Sequence, residues 1–138
     1  MDPNNPVVQL CMKGMEAESE GRPDDARTLF LEAWEARTDD YDACIAAHFL
    51  ARHQPTPQDT FYWNEQALNY AAAVGDERVR AFYPSLYLNM GYSHELLGDM
   101  AEAGKYYDMA AQRMDDIPDG RYKNIVSNGI SNGQQRME

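Results

Sequence analysis

The sequence predicts an all-α protein built from repeated helical hairpins. The first observation is a set of residues of matching type that recur 77 positions apart: Gly21, Ala26, Phe30 and Ala33 against Gly98, Ala103, Tyr107 and Ala110. The second is the spacing of the last three members, i, i+4 and i+7, which forms one stripe on an α-helix. The third is the glycine before each stripe, because glycine tolerates the left-handed backbone that ends a helix.

The first hairpin is predicted near the N-terminus. Leu10 and Gly14 lie one turn apart on a first helix, and the 77-residue shift carries them onto Tyr87 and Gly91. Pro23 opens the second helix, whose first turn holds two aspartates where the helix dipole favours negative charge. The same reasoning places another hairpin 77 residues later. In both hairpins, small residues let the two antiparallel helices approach each other, and an aromatic ring fills the space between helix pairs.

This pattern resembles the tetratricopeptide repeat, a helix–turn–helix unit of 34 residues. Residues 7–40 and 84–117 fit it, and a shift of 77 leaves room for one enlarged repeat between them. Residues 41–75 supply that repeat, since Cys44 and Ala47 follow Cys11 and Gly14 by 33 positions. The resemblance implies an α-solenoid of about three helix-turn-helix repeats plus a C-terminal capping helix. The length of the chain predicts a single domain over residues 1–138.

The middle repeat and the C-terminus depart from the pattern. The turn of the middle repeat, residues 54–57, is proline-rich and lacks glycine, and its second helix is predicted over 58–74. The linker to residue 83 is predicted to add a helical turn, with a bend at Pro84. A capping helix is predicted over residues 119–132, with frayed residues after it. One face of this helix carries Tyr122, Ile125, Val126, Gly129 and Ile130.

Composition and charge narrow the classes of partner. The formal net charge of −11 would repel a phosphate backbone, so we expect no nucleic acid partner. No apolar run approaches the roughly 20 residues of a membrane span, and the N-terminus lacks the pattern of a signal peptide. Two cysteines cannot form a disulfide framework, which favours a reducing compartment and a cytoplasmic location.

Motifs for catalysis, metal binding or cofactor binding are missing. The sequence has no phosphate-binding glycine loop, no nucleophile elbow and no zinc-type histidine pair, since His48 and His53 are five residues apart. Residues 115–120 resemble a calcium loop only faintly, because Ile117 occupies a ligand position. We therefore expect no enzyme, no catalytic residues, no metal and no cofactor.

A candidate peptide-binding groove follows from the resemblance, because first helices line the concave side of such solenoids. The residues at groove positions are Val8, Cys11, Met15, Glu18, Tyr41, Cys44, His48, Arg52, Ser85, Leu88, Asn89, Tyr92 and Glu95. Cys11 and Met15 replace the Lys and Asn with which one subgroup grips carboxylates, so that clamp is absent. The residue types indicate an apolar, adaptable groove. Burial of Met15, Leu88 and Tyr92 against the next helix, and filling of the groove by the capping helix, stay open as alternatives.

Three functions compete at this level. The first is a non-catalytic protein–protein interaction module that binds a peptide or helix of a partner, and the acidic charge favours a basic partner. The second is a self-associating structural unit, a homodimer, with Phe61, Tyr62 and Tyr83 as the candidate contact surface. The third is an enzyme or an accessory subunit of an enzyme or regulator, which no motif supports.

Overall fold

The computed structural model describes residues 2–138 and shows an all-helical chain. Within this range there are seven α-helices, three short 3-10 helices and no β-strand. The α-helices are α1 (Pro6–Ser19), α2 (Pro23–Glu35), α3 (Asp40–Leu50), α4 (Pro57–Val74), α5 (Tyr83–Leu96), α6 (Met100–Gln112) and α7 (Arg121–Arg136). They form two compact units, an N-terminal unit that ends at Val74 and a C-terminal unit over Gly75–Glu138.

The N-terminal unit begins with a tight hairpin of α1 and α2. Asn5 caps α1 by accepting a hydrogen bond from the backbone N–H of Val7 at 2.8 Å. Gly21 makes the turn with a φ of 74°, a backbone conformation that residues with a side chain rarely adopt. Gly14 lies against the ring of Phe30, since a Cβ at Gly14 would stand 2.2 Å from the ring's Cε1. The hairpin therefore closes because the first helix offers bare backbone to an aromatic ring of the second.

Helix α3 packs on both α1 and α2 and pairs with α4. Its N-terminus is fixed by Asp42, a buried carboxylate that retains 5% exposure. Asn5 Nδ2 donates to Asp42 Oδ1 at 2.8 Å, while the backbone N–H and hydroxyl of Thr38 donate to Oδ2 at 3.0 and 3.1 Å. These donors compensate for the loss of water around the charge, so the start of α3 is tied to the start of α1.

The C-terminal unit repeats this relation with different side chains. Gly98 makes the turn between α5 and α6 with a φ of 82°. The ring of Tyr107, which has no exposed surface, is held between Gly91 of α5 and Gly133 of α7. A Cβ at either glycine would approach ring atoms to 2.8 or 2.6 Å, respectively. A second cluster, formed by Ala110, Ile117, Val126 and Ile130, joins α6 to α7.

Local structure differs from the sequence prediction in two places. Residues Glu77–Phe82 form a 3-10 helix rather than a helical turn leading into a bend, and Pro84 stands in the first turn of α5, where a missing N–H costs nothing. Helix α7 continues to Arg136, so the residues expected to fray after 132 are mostly helical. Its last turn is fixed by an ion pair, because Arg136 Nε donates to Glu95 Oε2 at 2.8 Å.

Candidate functional site

Several predicted groove residues of the N-terminal unit lie in the core. Val8, Cys11 and Cys44 retain at most 1% exposure, so their side chains fill volume instead of offering surface. Both thiols are free, and burial raises the pKa of Cys11 and of Cys44 to about 12. A thiol with such a pKa stays protonated at neutral pH and is a poor nucleophile. These cysteines therefore have a structural role.

Glu18 and Arg52, two further groove candidates, form an ion pair with each other. Arg52 Nη1 donates to Glu18 Oε1 at 2.9 Å, and His53 Nε2 lies 2.6 Å from Oε2 of the same carboxylate. The Arg52 guanidinium also lies 5.2 Å from the centre of the Phe49 ring. The pair links the end of α1 to the 3-10 turn Ala51–His53 that follows α3, so both charges are already engaged within the unit.

Of the other predicted groove residues of this unit, Met15, Tyr41 and His48 are partly buried. His48 lies edge-on to Phe49, with 5.3 Å between ring centres. Burial, assisted by the charge of Arg52, lowers the pKa of His48 to about 4. The imidazole is therefore neutral at physiological pH and offers hydrogen bonding without charge.

In the C-terminal unit, the predicted groove residues hold α5 against α7. The hydroxyl of Ser85 is hydrogen-bonded to that of Tyr122, and the Leu88 side chain lies against Gly129. The carbonyl of Asn89 accepts a hydrogen bond from the Ser93 hydroxyl at 2.8 Å. The Asn89 contact lies within α5, whereas the Ser85–Tyr122 and Leu88–Gly129 contacts show that α5 and α7 run side by side in the same direction.

Glu95 closes the far end of this contact. Its carboxylate accepts a hydrogen bond from the Tyr107 hydroxyl at 2.7 Å and two hydrogen bonds from Arg136 at 2.8 and 3.2 Å. The Arg136 guanidinium, and then the Tyr107 hydroxyl, hold the pKa of Glu95 below its usual value. Burial, together with the Glu95 charge, raises the pKa of Tyr107 to about 12. Glu95 thus stays ionised and fixes the last turn of α7.

Four large apolar or aromatic side chains remain exposed along this line of contact. On α5 they are Tyr92 and Leu96, with 49% and 43% exposure, and on α7 they are Tyr122 and Ile125, with 46% and 58%. We call this surface, with Leu88 and Gly129 at its centre, the α5–α7 face. The sequence predicted Tyr92, but it assigned Tyr122 and Ile125 to the packing face of a capping helix and gave Leu96 no role.

A second aromatic surface lies on α2 and α4 of the N-terminal unit. Trp34 meets Trp63 edge-on at 5.0 Å, Tyr62 meets Trp63 at 5.2 Å, and the Arg37 guanidinium lies 3.9 Å from the centre of the Trp34 ring. Tyr62 is 51% exposed, whereas Phe61 is partly buried. Of the residues suggested for self-association, Tyr62 therefore offers the most accessible ring on this surface.

Within residues 2–138, no group of three or more His, Cys, Asp or Glu side chains is arranged to hold a metal ion. None of the helices described is long and apolar enough to cross a membrane. No family model, no curated protein and no solved structure matches this chain.

Proposed function

We propose that this protein is a tetratricopeptide-like α-solenoid that acts as a protein–protein interaction module and binds a peptide or helix of a partner on the α5–α7 face. The observation that carries the proposal is the exposure of Tyr92, Leu96, Tyr122 and Ile125 on two neighbouring helices. Large apolar side chains grouped on one surface mark interaction sites, and aromatic residues dominate the binding energy of such sites.

The shape of this face favours an elongated partner. The pairs Ser85–Tyr122 and Glu95–Arg136 mark its two ends, so the exposed residues extend over about three helical turns, or roughly 15 Å. That length suits the i, i+3, i+4 and i+7 anchors of an amphipathic helix. The net charge of −11 would steer a basic partner toward the protein and would raise the association rate more than the affinity.

The C-terminal unit, which carries this face, has a smaller excess of negative charge than the N-terminal unit. Residues 75–138 contain ten acidic and seven basic side chains, whereas residues 1–74 contain thirteen and five. Glu95, the acidic groove residue of this unit, is already paired with Arg136. Affinity at the face is therefore expected to come from apolar contact. The two free thiols are consistent with a reducing compartment such as the cytoplasm.

A peptide selection tests the proposal without knowledge of the natural partner. A random peptide library displayed on phage is panned on the full chain, and the selected peptides are measured by calorimetry against Tyr92→Ala and Ile125→Ser. Both side chains are about half exposed, so the helical circular dichroism should not change. Each substitution is expected to weaken binding by roughly tenfold or more, the effect of losing a central anchor.

Met109→Ala is the matched control, because Met109 is a 38% exposed apolar residue on α6 and lies outside the face. Binding that is equally weakened by Met109→Ala, or insensitive to Tyr92→Ala and Ile125→Ser, would exclude the α5–α7 face. A failure to select any peptide would count against the proposed function as a whole.

Self-association is the second candidate, and the aromatic surface of α2 and α4 favours it. Tyr62 exposes half of its side chain beside Trp63, an arrangement suited to packing against a second copy. Sedimentation would then show a dimer that Tyr62→Ser dissociates. A monomer at high protein concentration would exclude this function, leaving the interaction module or a role as an accessory subunit of an enzyme or regulator.

A further inference from the structure

The C-terminal unit contains a cavity away from the residues that define the α5–α7 face. It has a volume of about 450 Å³ and lies between the 3-10 segment, the start of α5 and the end of α6. That volume falls in the range of about 300–1,000 Å³ that is usual for small-molecule sites. Its walls include Tyr83, Tyr87, Arg80 and Arg113. The cavity therefore combines aromatic rings with guanidinium groups.

The two rings provide a surface for a planar group. Tyr83 and Tyr87 lie one turn apart on α5, with ring centres 5.5 Å apart and ring planes inclined by 46°, so a flat group stacks on one of them. Tyr87 also approaches Tyr106 of α6 at 6.1 Å and packs against the cluster of Ala110, Ile117, Val126 and Ile130. Because neighbours hold Tyr87 in position, little conformational entropy is lost when a flat ligand packs on it.

The two guanidinium groups provide donors for an anion. Among the described residues Arg80 has neither an ion pair nor a side-chain hydrogen bond. Arg113 lies over the Tyr83 ring at 4.4 Å and donates from Nε to Asp116 Oδ2 at 2.8 Å, so its two terminal nitrogens have no acceptor. A guanidinium binds a carboxylate or phosphate through two parallel hydrogen bonds. The charge of Arg113 is fixed in place, and that of Arg80 is available.

The two carboxylates at the cavity, Asp76 and Glu77, do not neutralise the guanidinium groups of Arg80 and Arg113. Arg78 donates to both oxygens of Asp76, with distances from 2.9 to 3.2 Å. Glu77 is exposed, so water screens its charge. A cation would have to compete with Arg78 for Asp76 and with Arg113 for the face of Tyr83, which makes a cationic ligand the poorer fit.

We propose that this cavity binds a small free molecule that carries a phosphate or carboxylate on a planar ring. The ring packs on Tyr87, and the anionic group accepts hydrogen bonds from Arg80 and from the terminal nitrogens of Arg113, which already covers Tyr83. No covalent step is involved. The site is independent of the α5–α7 face, so the two proposals stand or fall separately.

The test uses phenyl phosphate, inorganic phosphate and phenol as probes, titrated into the isotope-labelled full chain and followed by NMR. Phenyl phosphate is expected to give saturable shifts at the amides of residues 75–80, Tyr83, Tyr87 and Arg113. Inorganic phosphate and phenol should each bind at least about tenfold more weakly than phenyl phosphate. Inorganic phosphate keeps only the anionic group, and phenol keeps only the aromatic ring. Equal binding of phenyl phosphate and inorganic phosphate, or no saturable shift at millimolar concentration, would overturn the proposal.

Three variants test whether the cavity binds the anionic group of the ligand through Arg80. Arg80→Ala should weaken phenyl phosphate binding by about tenfold or more, because a charge-assisted hydrogen bond is lost, and it should leave the fold intact because Arg80 is exposed and unpaired. Arg121→Ala, the removal of an exposed arginine on α7, is the control and should leave binding unchanged. Glu77→Gln should tighten binding by less than about twofold, because water screens the charge of Glu77. Unchanged binding in Arg80→Ala, or weaker binding in Glu77→Gln, would exclude an anion site.

Discussion

Substitution of Gly91 by alanine should destabilise the C-terminal unit, although alanine is the better helix former. A Cβ at Gly91 would lie 2.8 Å from both Cδ1 and Cε1 of Tyr107, well inside normal contact. The ring cannot retreat, because the backbone of Gly133 lies against it and the hydroxyl is bonded to Glu95. Overpacking of this kind costs up to about 3 kcal/mol, and the better helix propensity of alanine returns about 1 kcal/mol. The free energy of unfolding should therefore fall by about 2 kcal/mol.

Gly104→Ala is the matched comparison, since Gly104 also lies within a helix of the same unit. The nearest atom to a Cβ at Gly104 is Cγ of Met137 at 3.8 Å, an ordinary contact. This substitution should therefore stabilise the protein by about 1 kcal/mol. Urea unfolding followed by far-ultraviolet circular dichroism would measure both, with a difference between the variants of about 3 kcal/mol.

A double-mutant cycle separates steric conflict from other effects. Tyr107→Leu removes the ring, so adding Gly91→Ala to it should cost much less than adding Gly91→Ala to the wild type. A Gly91→Ala variant as stable as Gly104→Ala, or additive effects in the cycle, would refute the packing of Tyr107 between two glycines.

Three further predictions concern single groups. Cys11 and Cys44 should resist thiol reagents in the folded protein at pH 8 and react on unfolding, since burial raises the pKa of each to about 12; rapid labelling of the native state would contradict their burial. His48 should titrate near pH 4 by NMR, whereas in the unfolded state it binds its proton near pH 6.5. The free energy of unfolding should therefore fall as the pH decreases from 6.5 to 4, and His48→Gln should reduce this dependence on pH. Arg136→Ala should cost about 0.5–1 kcal/mol and speed amide exchange in the last turn of α7, whereas unchanged exchange would show that the Glu95 pair does not hold that turn.

The helices were predictable from sequence wherever small and aromatic residues repeat at helical spacing. Gly14 against Phe30 and Gly91 against Tyr107 follow from the 77-residue correspondence, because a missing Cβ and a large ring at matched positions complement each other. The 3-10 segment of residues 77–82 was not predictable, since its composition is compatible with an α-helical turn. Its conformation depends on what packs around it.

The candidate sites were less accessible to sequence reasoning. Hydrophobic periodicity identifies a helix face but does not say whether that face is covered, so it gave Cys11, which is buried, and Tyr92, which is half exposed, the same role. The pair Glu95–Arg136 joins residues 41 positions apart and has no local signature. The cavity between α5 and α6 depends on where the guanidinium of Arg113 lies, which no spacing rule supplies.

The most direct test of the interaction module is an NMR map of where a selected peptide binds. The labelled full chain is titrated with the tightest peptide from the phage selection, and backbone amide shifts are assigned along all seven helices. Binding on the proposed face predicts the largest changes in α5 and α7, around Tyr92, Leu96 and Ile125. Changes centred instead on α2 and α4, around Trp34 and Trp63, would contradict it.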